Sequence, residues 1–396
     1  MKILAVLGTR PEIIKTAPVL KELDRYPQIE TRVCLSSQHK ELALPFLNFF
    51  EIVPRYDLKL INRNLSPREI ALLVSKRLER VFKRWQPDLV LVQGDTSTAL
   101  GASLGASKTE IPLAHIEAGL RSPDENFPCP EEKNRRIIDS LAQIHFAPSP
   151  LSEKNLIQEG ISPSQIFMTG NTGLDSFLKA LKLIKKNPSL RARLSQKWNF
   201  LCASRKLIFS TFHRQENLGG RMEEIFNVLI ELAQTEKVQI VYPVHPRPAI
   251  QALARKKLGN KPHIFLLPPL DYLSCVDLMQ RSHLIITDSG GIQEEALVLG
   301  KPVILARSLT ERPEGILEGA AVLAPNSQAL GQCVKNLIAD SSLYERMARP
   351  RLIYGNGKAA PQIARILARA SLKPAEDKPR NHFSNRVSPD FPIAGD

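Results

Sequence analysis

The feature that most constrains this chain is a steady alternation of short apolar runs with helical stretches. Lys2–Leu7 is a continuous apolar run, as expected of a strand covered on both faces. Pro11 then opens a helix at its first turn, where a missing N–H costs nothing. Thr31–Ser36, Asp88–Gln93, Pro112–Ile116 and Ile144–Ala147 read as further strands, with a small-residue helix from Thr96. The pattern restarts near residue 205, with strands at Lys206–Thr211, Val238–Pro243, Ile264–Leu267, His283–Thr287 and Pro302–Ala306. A helix-rich stretch at 172–200 separates the two series. Strands and helices in this order predict doubly wound parallel sheets, and 396 residues exceed one ordinary core. The expectation is an α/β chain of two Rossmann-like halves. Ligands in such folds sit beyond the carboxyl ends of the strands, so the expected site is the cleft between the halves.

Composition narrows the function classes. Hydrophobic residues make up 43% and charged residues 24%, the balance of a soluble globular chain. No apolar run approaches the roughly 18–20 residues of a membrane helix. Lys2–Leu7 is about half a signal-peptide core, so a buried first strand and a cytoplasmic protein with no membrane partner are expected. The cysteines at 34, 129, 202, 275 and 333 are odd in number and scattered, with no C-x-x-C, which predicts reduced thiols and no metal site. A net charge of +14 raises the question of nucleic acid. The excess is spread along helical stretches such as Lys179, Lys182, Lys185 and Lys186, with no basic-aromatic module. A solvated basic surface that attracts an anionic substrate is expected, and no nucleic-acid partner. From Pro374 the chain carries prolines and mixed charge without apolar period, and residues 373–396 are expected to be a disordered tail.

The loops after the strands carry the chemistry. Gly8-Thr9-Arg10-Pro11-Glu12 follows the first strand, where a nicotinamide fingerprint would need G-x-G-x-x-G, and no G-x-x-x-x-G-K-[ST] loop occurs. Nicotinamide and P-loop chemistry are not expected. Arg10 stands where a cation can clamp a diphosphate, and equally where a surface arginine would stand. Ser289-Gly290-Gly291 precedes a helix whose start favours an anion, and Glu295 lies about one turn further in, in reach of ribose hydroxyls. His213 and Arg214 follow another strand and are candidates for phosphate contact. Asp95, Glu117 and Glu131 all follow strand ends of the first half. Singly, each reads as a cap or an ion-pair member, and Glu131 and Arg135 have the spacing of a helical pair.

Taken together, these loops resemble one family. Gly8 to Glu12, Gly94-Asp95-Thr96, His115 to Arg121, Pro130-Glu131-Glu132 with Asn134-Arg135, Thr169-Gly170-Asn171, His213-Arg214, Tyr242 to His245, Asp288 to Ala296 and Glu311 to Glu314 are collinear with the non-hydrolysing UDP-N-acetylglucosamine 2-epimerases, from residue 1 to about 370. The resemblance implies a GT-B fold of two Rossmann-like domains facing across a deep cleft. It places residues 1–171 in the first domain, 172–354 in the second, and a helix within 355–372 that crosses back onto the first. It implies UDP contacts from His213, Ser289, Gly290, Gly291, Glu295 and Arg312, and substrate contacts from Arg10, Lys15 and Arg135. It implies catalytic roles for Asp95, Glu117, Glu131 and His213. Gln38 and His245 match the family's regulatory site. No cofactor is implied, and relatives are often homodimers. The chain departs from the family pattern at Gln215, Cys275 and Asn356.

The proton on carbon 2 is not next to a carbonyl, so an inversion without NAD begins by expelling UDP. A base then removes the proton to leave a glycal. Return of a proton from the other face, and of UDP, completes the exchange. Cations and backbone donors aimed at the diphosphate serve the first step, and acid-base groups on both ring faces serve the second. A GT-B glycosyltransferase, a hydrolysing epimerase, an epimerase of a UDP-diacetamido-uronate and a non-enzymatic nucleotide-sugar sensor share parts of this pattern.

Overall fold

Lys2–Leu7 forms the first strand, β1, and each of its residues after Lys2 is buried. The computed structural model describes residues 1–371 apart from 38–39, 61–64, 125–126, 213, 215–216 and 236. The tail expected to be disordered, and His213 and Gln38, lie outside the described residues. After β1 come α1 (Arg10–Leu23), β2 (Glu30–Leu35), α2 (Lys40–Phe49), β3 (Tyr56–Asp57), α3 (Pro67–Trp85), β4 (Leu89–Gln93) and α4 (Ser97–Lys108). Then follow β5 (Leu113–Ile116), α5 (Glu131–Leu141), β6 (Ile144–Ala147), α6 (Pro150–Gln158) and β7 (Ile166–Met168). These strands form one parallel sheet in the order β3-β2-β1-β4-β5-β6-β7.

The helices are set by local signals. Ser66 caps α3, with a reciprocal bond to Glu69, and Pro67 occupies the first turn. Ile70, Val74, Leu78, Val81, Phe82 and Trp85 then form one buried stripe against the sheet and α4. Each such side chain contributes about 1.5–3 kcal/mol by leaving water.

Helices α7 (Thr172–Lys186) and α8 (Pro188–Lys197) lead to a second series. It runs β8 (Lys206–Thr211), α9 (Gly220–Gln234), β9 (Val238–Pro243), α10 (Pro248–Leu258), β10 (Ile264–Leu267), α11 (Tyr272–Arg281), β11 (Leu284–Thr287), α12 (Gly290–Leu299), β12 (Val303–Leu305), α13 (Glu314–Leu317) and β13 (Ala321–Leu323). Helices α14 (Ser327–Ala339), α15 (Ser341–Met347) and α16 (Ala359–Ser371) close the described chain. The second parallel sheet has the order β10-β9-β8-β11-β12-β13. Its core joins Ile208, Ile240, Ile286 and Ile304 from the strands to Phe226, Leu229 and Val334 from α9 and α14.

Two units result. One comprises Met1–Ser176 with the described residues from Tyr354 on, and the other Phe177–Ile353. Helix α16 belongs to the first unit and packs on α1 with Ile363, Ala364, Leu367 and Ala368 buried. The Asp175 carboxylate accepts the Ala359 and Ala360 N–H groups at 3.2 and 2.9 Å, so the start of α16 is capped from another helix. In each sheet the strand order reverses between two neighbours, β1 and β4 in the first and β8 and β11 in the second. That reversal opens a crevice at the carboxyl ends.

Candidate active site

The first crevice gathers the acidic residues. Asp95 follows β4 after Gly94, whose φ is 71°. Its carboxylate accepts from Arg135 of α5 at 2.7 Å, and its carbonyl accepts from Asn134 Nδ2 at 2.8 Å. Glu117 follows β5 at φ 69°, the left-handed region that costs a non-glycine residue roughly 1–2 kcal/mol. Its Oε2 accepts from Gln93 Nε2 at 2.8 Å and from Lys15 of α1. Its side chain is 6% exposed. Glu131 is the first residue of α5 and is half-buried. Arg135 also pairs with Glu132, whose other oxygen accepts from Arg136 at 3.2 Å. Arg10 opens α1, exposed, with its guanidinium 5.5 Å from the centre of the Phe46 ring. Asp95 and Glu117 are thus each fixed by a cation from a neighbouring helix, at adjacent strand ends.

A second layer lies beneath them. Glu12 is fully buried and accepts from the Gly8 and Thr9 N–H groups at 3.1 and 2.6 Å and from Thr96 Oγ1 at 2.8 Å. Burial outweighs those bonds and pushes its carboxyl up to about 7. His115 faces Asp139 and the Gly94 carbonyl, and Arg121 pairs with Asp139 at 2.8 Å. These groups were not singled out from the sequence as site residues. Their partners lie far along the chain, although a histidine in the apolar run Leu113–Ile116 is a visible anomaly.

The second crevice holds a glycine loop on a bed of ion pairs. Ser289 is the N-cap of α12 without a side-chain cap bond, so the Gly290 and Gly291 N–H groups open the helix as anion donors. A Cβ on Gly290 would stand 2.3 Å from a nitrogen of Arg312, whereas one on Gly291 would meet nothing within 4 Å. Arg312 is buried and bound to Glu294 and, at 2.6 Å, to Glu311. Glu311 also accepts from Arg307 at 2.8 Å and Arg214 at 3.1 Å. Two nitrogens of Arg312 are therefore engaged with carboxylates, and the residue anchors the underside of Gly290 as well as bringing charge. Asp288 accepts from the Arg214 N–H at 3.0 Å and from Asn217 at 2.9 Å, tying the loop after β8 to the loop after β11. Glu295 is half-buried in α12, and its charge is felt by the buried Tyr272 hydroxyl, which burial pushes well up. His245 follows β9 and accepts the Arg247 N–H at 3.3 Å. Among the described residues no cluster suited to a metal ion occurs, and no helix is long and apolar enough to cross a membrane.

A family model described as UDP-N-acetylglucosamine 2-epimerase matches residues 21–368. The UDP-N-acetylglucosamine 2-epimerase of Yersinia pestis is 42% identical over 369 residues, 93% of this chain and 98% of the relative. That of Bacillus subtilis is 38% identical over 369 residues, 93% of this chain and 95% of the relative. The solved UDP-GlcNAc 2-epimerase from Neisseria meningitidis bound to UDP-GlcNAc superposes with a TM-score of 0.91 at 39% identity, covering 93% of this chain and 100% of that one. The enzyme from Methanocaldococcus jannaschii, in complex with UDP-GlcNAc and UDP, superposes with a TM-score of 0.83 at 34% identity over 93% and 100%. Matches that span both units, over strand ends bearing acid-base groups and a helix start bearing a glycine loop, show that this chain belongs to the UDP-N-acetylglucosamine 2-epimerase family.

Proposed function

We propose that the protein interconverts UDP-N-acetylglucosamine and UDP-N-acetylmannosamine by elimination and re-addition of UDP. The observation that carries this reading is the pair Asp95 and Glu117, each held at a strand end by a basic side chain, Arg135 and Lys15. Relatives of similar length that carry the epimerase name support it. The α12 start binds the diphosphate as the C1–O bond breaks, and Arg10 and His213 are assigned to the substrate by their match to the family's motifs. A carboxylate takes the carbon-2 proton, so UDP and a glycal are the paired products. A second carboxyl group, protonated from solvent, gives its proton to the opposite face of carbon 2, and UDP re-adds at carbon 1. No electrons are exchanged with a cofactor. Glu131 completes the acid-base set in the same reading, and Gln38 and His245 are the residues that match the family's regulatory site. Five cysteines without a disulfide fit a cytoplasmic protein, and light scattering tests a homodimer.

The test is proton NMR with UDP-N-acetylglucosamine in D₂O and no added NAD. Deuterium at carbon 2 with growing UDP-N-acetylmannosamine is the expected result. Free N-acetylmannosamine with free UDP overturns the non-hydrolysing reading, and an unchanged carbon-2 proton overturns epimerisation of this sugar.

A further inference from the structure

β5 is covered on both faces, and Leu113, Ala114 and Ile116 are apolar, yet the buried residue between them is His115. Its Nδ1 lies 2.6 Å from Asp139 Oδ1 and its Nε2 2.8 Å from the Gly94 carbonyl oxygen. Asp139 is buried on α5 and also accepts from the Gly119 N–H at 3.1 Å and from Arg121 at 2.8 Å. Its own carbonyl meets His145 Nε2 of β6 at 2.8 Å. Taking such groups out of water costs several kcal/mol per ion, so an apolar side chain at 115 would be the cheaper way to fill the core.

What the pair gains is placement. Gly94 immediately precedes Asp95. His115 and Gly119 flank Glu117 at two residues on either side. Asp139 stands about two turns along α5 from Glu131 and one turn from Arg135, which itself bonds Asp95. One imidazole–carboxylate contact therefore joins the three segments that carry Asp95, Glu117 and Glu131.

We infer that His115, locked to Asp139, is a positioning residue that holds the loop after β4 against the loop after β5 and helix α5, and so sets the spacing of the three carboxylates. The inference rests on the epimerase reading above. The oxygens facing the ring are a carboxylate and a carbonyl, so each ring nitrogen meets an acceptor from a different segment. Burial pushes the Asp139 carboxyl up, but His115, Arg121 and His145 together hold it below the usual carboxylate range.

The full-length protein with His115→Phe or His115→Gln tests this. Carbon-2 exchange gives kcat and KM, and calorimetry gives UDP affinity. Misplacing reacting groups by about 1 Å costs on the order of 100-fold in rate, and that loss of kcat is expected of His115→Phe. UDP affinity is expected to stay unchanged, because the glycine loop belongs to the other unit. His115→Gln, which keeps a donor towards Gly94, recovers part of the rate. A kcat close to wild type in His115→Phe, or an equal loss of kcat and UDP affinity, overturns the inference. If His115→Phe does not fold, the same split between kcat and UDP affinity in His115→Gln decides. Failure of the epimerase reading shows separately, as absence of carbon-2 exchange in the wild type.

Discussion

At the scale of single residues, fixed carboxylates and buried carboxyls make different predictions. Asp95 and Glu117 are oriented by Arg135 and Lys15, so an amide at either position keeps much of the shape and removes the base. Asp95→Asn, Glu117→Gln and Glu131→Gln are each expected to slow carbon-2 exchange by about 10²–10⁴-fold while UDP binding by calorimetry is retained. Near-normal exchange in any one of them removes that residue from the mechanism. Glu12 predicts a pH effect. Its carboxyl is raised by burial from 4.5 to about 7, so the folded state holds the proton more tightly than the unfolded chain. Its contribution to stability is complete below about 4.5 and is lost as pH rises through about 7, a change on the order of 3 kcal/mol. Glu12→Gln lacks that dependence. Urea unfolding should therefore show the variant gaining on the wild type by roughly that amount between pH 4.5 and 8. A constant difference between the two proteins would mean that Glu12 stays ionised throughout.

At the scale of elements, the clearest prediction concerns the start of α12. Gly290 has no room for a Cβ beside Arg312, whereas Gly291 faces open space. Gly290→Ala should destabilise the fold by about 1–3 kcal/mol through overpacking, and UDP affinity should fall with it. Gly291→Ala should leave urea unfolding unchanged or slightly improved, yet weaken UDP by about tenfold, because its Cβ would enter the open space before the helix start and hold a phosphate off the N–H groups, a loss on the scale of one charge-assisted hydrogen bond. Equal UDP affinity in Gly291→Ala and wild type would place the diphosphate elsewhere. The same scale explains what could be read from the chain. The long central strands were legible from their apolar runs, and β6, β8, β9 and β10 begin and end where those runs do. Three strands were not legible: β3, β7 and β13. Each is two or three residues long and lies at a sheet edge, where burial on one side and short length leave no period to detect. The site was legible as loops and not as a network. Asp95, Glu117 and Ser289–Gly291 announce themselves by following strands. The partners Gln93, Asp139, Glu132, Glu294 and Glu311 sit on elements whose pairing only the fold decides. Arg135 illustrates this, since its bonds to Glu132 and Asp95 reach 3 and 40 residues along the chain.

At the scale of the whole molecule, the epimerase reading divides the chemistry between the two units. The carboxylates, Lys15 and Arg10 belong to the first, and the glycine loop with its arginine–glutamate bed to the second. Each unit has its own core, that of β1, β4, α3 and α4 in one and that of β8, β9, β11 and α9 in the other. A ligand stabilises the state that binds it, by about 2.7 kcal/mol at a hundred times its Kd. UDP alone carries no sugar for the carboxylates to address. With UDP at that excess, amide hydrogen exchange should slow in β8, β11 and α12 by the corresponding factor of roughly 100, while exchange in β1, β4 and β5 stays as in the free protein. UDP-N-acetylglucosamine should extend the slowing to the loops bearing Asp95 and Glu117. Equal slowing of both cores by UDP alone would mean that the two units open as one cooperative body. The division of labour would then be chemical only, because the diphosphate would stabilise the acid-base half as strongly as the half that holds it.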